Sequence, residues 1–505
     1  MLSHVLSAAL WGVEARLVHV EVDAAPGLPC FNVVGLPDTA VRESRDRVKS
    51  AVANSGFEFP LNRRLTANLA PAHLRKEGPG FDLPLALGLL AAVGAVPAGA
   101  LEGRLFAGEL SLDGSLRPIR GALGMALEAR RKGLRWVALP TANAHEAAGI
   151  EGLSVAPLES LAGAVEWLSG GTLPGNAAPT LVGPPARPAA VDFRDIKGQE
   201  AAKRALEVAA AGGHNILMVG PPGSGKTLLA RALAGILPEP REDEALEIAL
   251  VRSSSGEGAS GAHGAGRPFR DPHHTVSAAG LAGGGAVPRP GEVTRAHGGV
   301  LFLDELPEFR RDALEALRQP LEDGAVALTR ARASVLLPAR CMVAAAMNPC
   351  PCGHEGDPGK ECVCTPAQVT RYRGRVSGPL LDRLDLRVRV PALDFRTLTS
   401  GPAGEDSEKV RARVEAARAR QARRFGATGP SCNARMDPAM LRRHCALDQA
   451  GMDLMRAAME RLGLSARGFD RVLKVSRTIA DLDAEERIAS RHLAEAIQYR
   501  GFEAG

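Results

Sequence analysis

Aromatic residues make up only 4% of this 505-residue chain. That leaves too few flat side chains for a broad stacking platform of the kind that grips single-stranded nucleic acid. Strong charge of one sign is missing too. With 62 Lys+Arg against 57 Asp+Glu the net charge is +5, so any basic surface must be local rather than global. No apolar run reaches the ~18 residues of a spanning helix, and a membrane is not an expected partner. The opening MLSHVLSAALWGVEARL has no cationic leader and meets Glu14 early, which makes a poor export signal. The expected compartment is the cytoplasm, where the eight cysteines should be reduced or metal-bound rather than paired. Cys30 and Cys341 read as buried apolar fillers, and nothing marks Cys432 or Cys445.

Hydrophobic content of 45% with 24% charged residues is ordinary for a globular α/β chain, and the length suits about three domains. A Gly/Pro-rich, almost uncharged stretch at 171–190 predicts a linker. Before it, residues 1–170 hold alternating apolar positions at Leu17–Val22, a short apolar run at Phe31–Val34 and helical spacing over Thr39–Ala53. After it, residues 191–398 form a nucleotide-binding core. Gln199–Ala211 reads as a helix, Asn215–Val219 as a buried strand, Thr227–Leu237 as a helix and Ser253–Gly291 as a long loop, either functional or mobile. Residues 399–505 read as wholly helical, with helices over Arg411–Phe425, Pro438–His444, Ala450–Leu462, Arg467–Leu482 and Ala489–Tyr499.

The sharpest chemistry lies in the core. Gly220, Pro221, Pro222, Gly223, Ser224, Gly225, Lys226 and Thr227 fit the phosphate-cradling pattern G-x-x-x-x-G-K-[ST], between a predicted strand and a predicted helix. Glycines let backbone N–H groups turn inward, and the helix N-terminus adds partial positive charge. Lys226 is expected on the β- and γ-phosphates of ATP, with Thr227 on Mg²⁺. The run Gly298–Glu305 ends in two acids at the close of a buried strand. Asp304 is expected to hold Mg²⁺, and Glu305 to orient and deprotonate the attacking water. A third apolar strand, Cys341–Met347, ends in Asn348, which either positions that water or turns the chain before Pro349.

These residues and their surroundings resemble the YifB/ComM family of magnesium-chelatase-like AAA+ ATPases. The resemblance is carried by FNVVGLPDTAVRESRDRV near the start, RPFRDPHHT at 267–275, PRPGEVTRAHGGVLFLDELPEF at 288–309, MNPCPCG at 347–353, SGPLLDRLDL at 377–386 and LSARGFDRVLKVSRTIADL at 464–482. It implies a Lon-protease-like N-terminal α/β domain, an AAA+ core with a parallel sheet, and a helical lid, assembled as a hexameric ring. It also implies that Asn348 is the first sensor and Arg383 an arginine finger reaching a neighbour's γ-phosphate, unless Arg383 merely pairs with Asp382 or Asp385. Arg467 matches the second sensor, with Arg471 and Arg477 as competitors on the same helix.

Arg75–Leu90 and Gly108–Pro140 look like the two segments that carry the Lon Ser–Lys dyad. Gly80 and Leu123 stand at those positions, so neither hydroxyl nor amine is present and no proteolysis is expected. Cys350, Cys352, Cys362 and Cys364 lie in an insert at 349–365. They suit a tetrahedral structural Zn²⁺ site, with His354 as a substitute ligand or with four reduced thiols as the alternative. Arg330 and Arg332 lie just before the third apolar strand, where related motors carry a pore hairpin, and there they would grip DNA phosphates. The Gly-rich stretch Ala278–Gly291 falls where that clade inserts a second pore element. Arg267, Arg270, His273 and His274 either serve that element or hold a turn, and the arginine-rich helix 411–424 either faces DNA or is a solvated face. The resulting expectation is a ring helicase for branched or single-stranded DNA, of the type linked to branch migration in natural transformation. A protein remodeller and a magnesium-chelatase-like subunit remain as alternatives.

Overall fold

The computed structural model describes residues 1–172, 191–258, 266–284, 289–330, 333–357, 359–400, 404–426 and 428–500. Two sheets organise the chain. The first is seven-stranded, ordered Cys30–Val34, Arg63–Ala70, Glu14–Pro26, Leu2–Trp11, Arg104–Phe106, Trp136–Pro140 and Ser154–Leu158. Val18, Val20, Val22 and Ala24 are buried while the intervening residues are more open, the period-two signature of a sheet covered on one face. The covering helix, Asp82–Ala92, is buried at every position, as a helix apolar on all sides should be. Its one acid, Asp82, accepts two hydrogen bonds from Arg47, at 2.8 and 3.0 Å.

The second sheet has five parallel strands, ordered Phe269–Arg270, Val300–Leu303, Met342–Met347, Ile216–Val219 and Leu386–Arg389. Both faces are covered, which is why its strands are continuous apolar runs such as VLFL and MVAAAM rather than alternating ones. Helices Glu200–Gly212 and Lys226–Ile236 pack on one face. The C-terminal helices Ser407–Phe425, Pro438–His444, Gln449–Leu462, Ala466–Leu482 and Ser490–Gln498 extend that same core. Among the described residues no helix is long and apolar enough to cross a membrane.

The stretch read as a loop from Ser253 to Gly291 is more ordered than expected. Ser253 closes a helix, Glu242–Ser255, and Phe269–Arg270 is an edge strand of the core sheet. Ala278–Ala282 is a further short helix, and Gly283–Gly284 pairs with Arg289–Pro290. The edge strand has only two residues, too few for a periodicity to register. The predicted linker falls at 173–190, outside the described residues, apart from its first two positions. Cys30 is exposed at the start of an edge strand rather than buried, whereas Cys341 is partly buried.

The N-terminal unit docks on the core through helix Glu242–Ser255. The Ser253 hydroxyl donates to Glu146 at 2.5 Å and accepts from the Leu123 amide at 3.2 Å, and the Ser253 carbonyl accepts from Gly121 at 2.9 Å. A second contact is the hairpin turn at Gly12, where a Cβ would come within 2.6 Å of Val335. Ser253→Ala should leave the buried Leu123 N–H without a partner and cost about 1–3 kcal/mol, read as a lower midpoint in denaturant unfolding. An unchanged midpoint would contradict this account of the docking.

Candidate active site

The strand Ile216–Val219 delivers the chain into the glycine loop at the carboxyl edge of the sheet. There a parallel α/β sheet leaves room for ligands. A Cβ on Gly220 would sit 2.0 Å from the Val390 carbonyl oxygen, so only glycine fits that approach. Gly223 and Gly225 have φ of 75° and 91°, left-handed values that aim successive N–H groups inward. Helix Lys226–Ile236 starts at once behind the loop, placing its N-terminal dipole at the phosphate position.

Four side chains from three strand ends meet there. Thr227 donates to Asp304 at 2.8 Å. Lys226 donates to the carbonyls of Gly220 and Pro221 at 2.7 and 2.9 Å, and to Asn348 Oδ1 at 3.2 Å. Burial lowers the Lys226 pKa below the usual lysine range against the pull of Asp304 and Glu305. The hydroxyl and carboxylate are hard oxygen donors side by side, the set Mg²⁺ takes, and the nest of N–H groups with Lys226 suits a triphosphate. The residues present therefore fit both groups.

Glu305 adopts a left-handed φ of 53°, a conformation rare for a residue with a Cβ. His274 lies 3.4 Å from the Glu305 carboxylate and its ring stacks with His273 at 4.1 Å. Asp271 also faces the site; burial, and secondarily Asp304, raise its pKa. Neither contact is legible in the sequence, because the motif RPFRDPHHT reads as a turn until its edge strand is seen. Arg267 and Arg270 are engaged internally, the first by Glu244 at 2.8 Å and the second by Glu292 at 2.8 and 3.2 Å.

Arg383 and Arg467 are elsewhere. Arg383 precedes the strand Leu386–Arg389 at the amino edge of the sheet, where its carbonyl accepts from Asn215 at 3.0 Å. Four residues at ~3.3 Å each put that edge about 13 Å from the glycine loop. The Arg383 guanidinium bonds Glu322 and donates to the Pro379 carbonyl at 2.8 Å. Its partner is thus neither Asp382 nor Asp385. Arg467 donates to the same Glu322 at 3.1 Å, Arg471 takes Asp385 at 2.8 Å, and Arg477 is buried on the Glu485 and Glu486 carbonyls. Arg383, Arg467 and Arg471 line one cavity of about 700 Å³. In one chain the glycine loop and these arginines therefore lie at opposite ends of the core sheet.

Residues 192–398 match the family described as Magnesium chelatase, subunit ChlI, residues 20–143 that described as Subunit ChlI of Mg-chelatase, and residues 404–500 the subunit ChlI C-terminal family. Uncharacterized protein YifB of Salmonella typhimurium is 44% identical over 506 residues, 99% of this chain and 97% of its own. Competence protein ComM of Haemophilus influenzae is also 44% identical, over 509 residues with the same coverage. The chain belongs to the magnesium-chelatase-like YifB/ComM family of AAA+ proteins. Family membership implies ATP and Mg²⁺ as cofactors, in agreement with the donor set. Lon protease 2 of Bacillus subtilis is 34% identical over 149 residues, 28% of this chain and 26% of its own, in keeping with a Lon-like element in this YifB/ComM chain.

In that Lon-like unit Gly80 lies in a short turn, Pro79–Phe81, and Leu123 is buried in helix Ala122–Arg131 with its amide turned to Ser253. The helix end that would carry a dyad lysine is a docking surface here. A fully buried lysine exists close by in sequence, but Lys76 donates to the Pro71 carbonyl.

The four insert cysteines converge. The sulfurs of Cys350, Cys352, Cys362 and Cys364 lie within 4.8 Å of one another, with Cys350–Cys352 at 3.3 Å and Cys350–Cys362 and Cys352–Cys362 at 3.6 Å. Zn–S bonds of ~2.3 Å in a tetrahedron need edges of about 3.8 Å, so the group fits Zn²⁺. His354 is not part of it and pairs with Asp357 at 3.1 Å. The loop also braces the phosphate site: a Cβ on Gly353 would meet Pro222 at 2.6 Å.

Among the basic stretches, Arg330 ends the strand Ala325–Arg330, opposite Ala333 in an antiparallel ribbon with Ala333–Pro338. Arg332 lies outside the described residues, as do 285–288 of the Gly-rich stretch. The helix Ser407–Phe425 is not a free basic face. Arg411 bonds the Gly235 carbonyl, Arg413 bonds Glu207 and Glu405, Arg418 bonds the Ala210 carbonyl and Arg424 bonds Asp481.

Lys226→Ala removes the cation of the phosphate cradle while leaving Thr227 and Asp304 in place. Steady-state ATP hydrolysis should fall by about 10²-fold or more, the usual loss when a preorganised charge stabiliser is removed. Turnover within a few-fold of wild type would contradict the site.

Proposed function

We propose that this chain is an ATP-driven ring motor acting on branched or single-stranded DNA in the cytoplasm, a helicase or branch-migration factor of the ComM type. The observation that supports it most is the split site. One chain holds the phosphate cradle at the carboxyl edge of its core sheet and a cluster of arginines at the amino edge. Two such chains, stacked edge to edge, complete one hydrolysis site, and a closed ring uses every half-site. In that arrangement Lys226 holds the triphosphate, Glu305 accepts a proton from the attacking water and Asn348 orients that water. Arg383 and Arg467 of the neighbour neutralise charge developing on the γ-phosphate, an effect worth roughly 10³–10⁵ in rate where an arginine finger acts. Bound Mg²⁺ supplies charge neutralisation at the phosphates.

The polymer reading rests on the ribbon ending in Arg330, with Arg332 beside it in sequence, and on the name of the Haemophilus relative as a competence protein. A magnesium-chelatase-like role has the ChlI family matches in its favour, including the one over residues 20–143 of the N-terminal unit. A protein remodeller is the third reading. Strand displacement on a forked DNA with ATP separates them. The motor should unwind wild-type substrate and fail with Lys226→Ala, and the double variant Arg330→Ala/Arg332→Ala should bind DNA with a salt slope reduced by about 2. Stimulation by unfolded protein with none by DNA would replace this reading with the remodeller.

The cysteine group is proposed to hold one structural Zn²⁺ per chain. Metal analysis of the purified protein should find zinc, and Cys362→Ser should lose it. Because Asn348 and Pro222 border the cysteine loop, the same variant should lower ATP turnover. Full turnover in a zinc-free sample would refute a structural role.

A further inference from the structure

Two of the amino-edge arginines, Arg383 and Arg467, share a single acid. Glu322 bonds Arg383 with one carboxylate oxygen and Arg467 with the other, the latter at 3.1 Å. Arg383 is 6% exposed while Glu322 is half exposed, so the guanidinium is tucked inward beneath a carboxylate at the cavity rim. Its Nε finds no acceptor, although it is buried. Arg471 stands nearby on Asp385, so positive charge is crowded here, and the one negative charge of Glu322 is shared between Arg383 and Arg467. The Arg383 hydrogen bond holds the Glu322 carboxyl below the usual glutamate range, keeping it ionised at neutral pH.

The placement of Glu322 adds the second half of the argument. It sits in the last turn of helix Arg318–Asp323, which Gly324 ends with a left-handed φ of 67°. The strand Ala325–Arg330 begins at the next residue. Val326 and Leu337, near the base of that ribbon, are buried in the apolar cluster against which Leu321 of the helix packs, so helix end and ribbon form one packed body. A push on the far end of the ribbon is therefore delivered to Glu322.

We infer that Glu322 is a positioning residue that holds Arg383 and Arg467 back from the neighbouring subunit's triphosphate, and that ties their release to movement of the Ala325–Arg330 ribbon. The phosphate and the carboxylate compete for the same guanidinium fork, so Arg383 reaches one only by leaving the other. The inference rests on the ring reading above and adds to it a brake set by the element that carries Arg330.

The test is steady-state ATP hydrolysis by the full chain, with and without a forked oligonucleotide, for wild type, Glu322→Gln, Glu322→Asp and Arg383→Ala. Glu322→Gln removes the charge at a half-exposed position and keeps the shape. It should raise kcat without DNA about fivefold or more, the low end of ordinary intersite coupling, at unchanged KM for ATP. The further rise on adding DNA should shrink by the same factor. Glu322→Asp, which keeps the charge, should move kcat less than Glu322→Gln. Arg383→Ala without effect would overturn the ring reading and the inference together. An inactive Arg383→Ala with Glu322→Gln at or below wild-type kcat, or with altered KM alone, would overturn the inference and leave the ring reading standing. A wild type indifferent to DNA, with Glu322→Gln still faster, would overturn the DNA reading and support the brake.

Discussion

The parallel pairing of Ile216–Val219 with Met342–Met347 is the constraint on which the site depends. Its register sets Val219 beside Met347, so the glycine loop and Asn348 leave the sheet at the same level. The next ladder pairs Leu303 with Ala345 and brings Asp304 to that edge. Three segments far apart in sequence thus present a lysine, a carboxylate and an amide to one point without any flexible lever. Rigid strand ends are the most accurate supports a fold offers for preorganised charge.

The opposite edge is organised by one amide side chain. Asn215 donates to the Arg383 carbonyl at 3.0 Å and accepts from the Val343 amide at 2.8 Å, while its own amide donates to Asp385 at 3.0 Å. Because strands are stiff, whatever fixes one end of the sheet fixes the other. The phosphate cradle and the Arg383–Arg467 pair thus stand at opposite edges of one stiff sheet.

The N-terminal unit shows how a peptidase-like scaffold can be turned to mechanics. Its dyad positions are Gly80 and Leu123, and the backbone of Leu123 binds the ATPase core through Ser253. With the Gly12 turn resting on Val335, the unit touches the core helix Glu242–Ser255 and the ribbon that carries Arg330. Helix Glu242–Ser255 also lines the arginine cavity, so this unit packs directly on the core elements around it.

Much of the chemistry was legible in sequence because it is local. An apolar run that stops at GKT, at Asp-Glu or at Asn states both the strand and the group at its end, since burial on two faces demands unbroken apolar residues and the strand's end is where polar atoms regain space. The convergence of the four cysteines was likewise suggested by their short spacing. What the sequence could not determine was every relation that depends on distant contacts. Glu322 meets Arg383 across 61 residues and Arg467 across 145, and nothing in the sequence marks Glu322 among the many other acids in the chain. The two-residue edge strand, the His274–Glu305 contact, the internal pairing of the arginine-rich helix and the exposure of Cys30 all follow from how elements pack. Local residue order sets which groups stand at strand ends; only the tertiary structure decides which edge they share and which charge neutralises which, because those choices are made by packing over the whole domain.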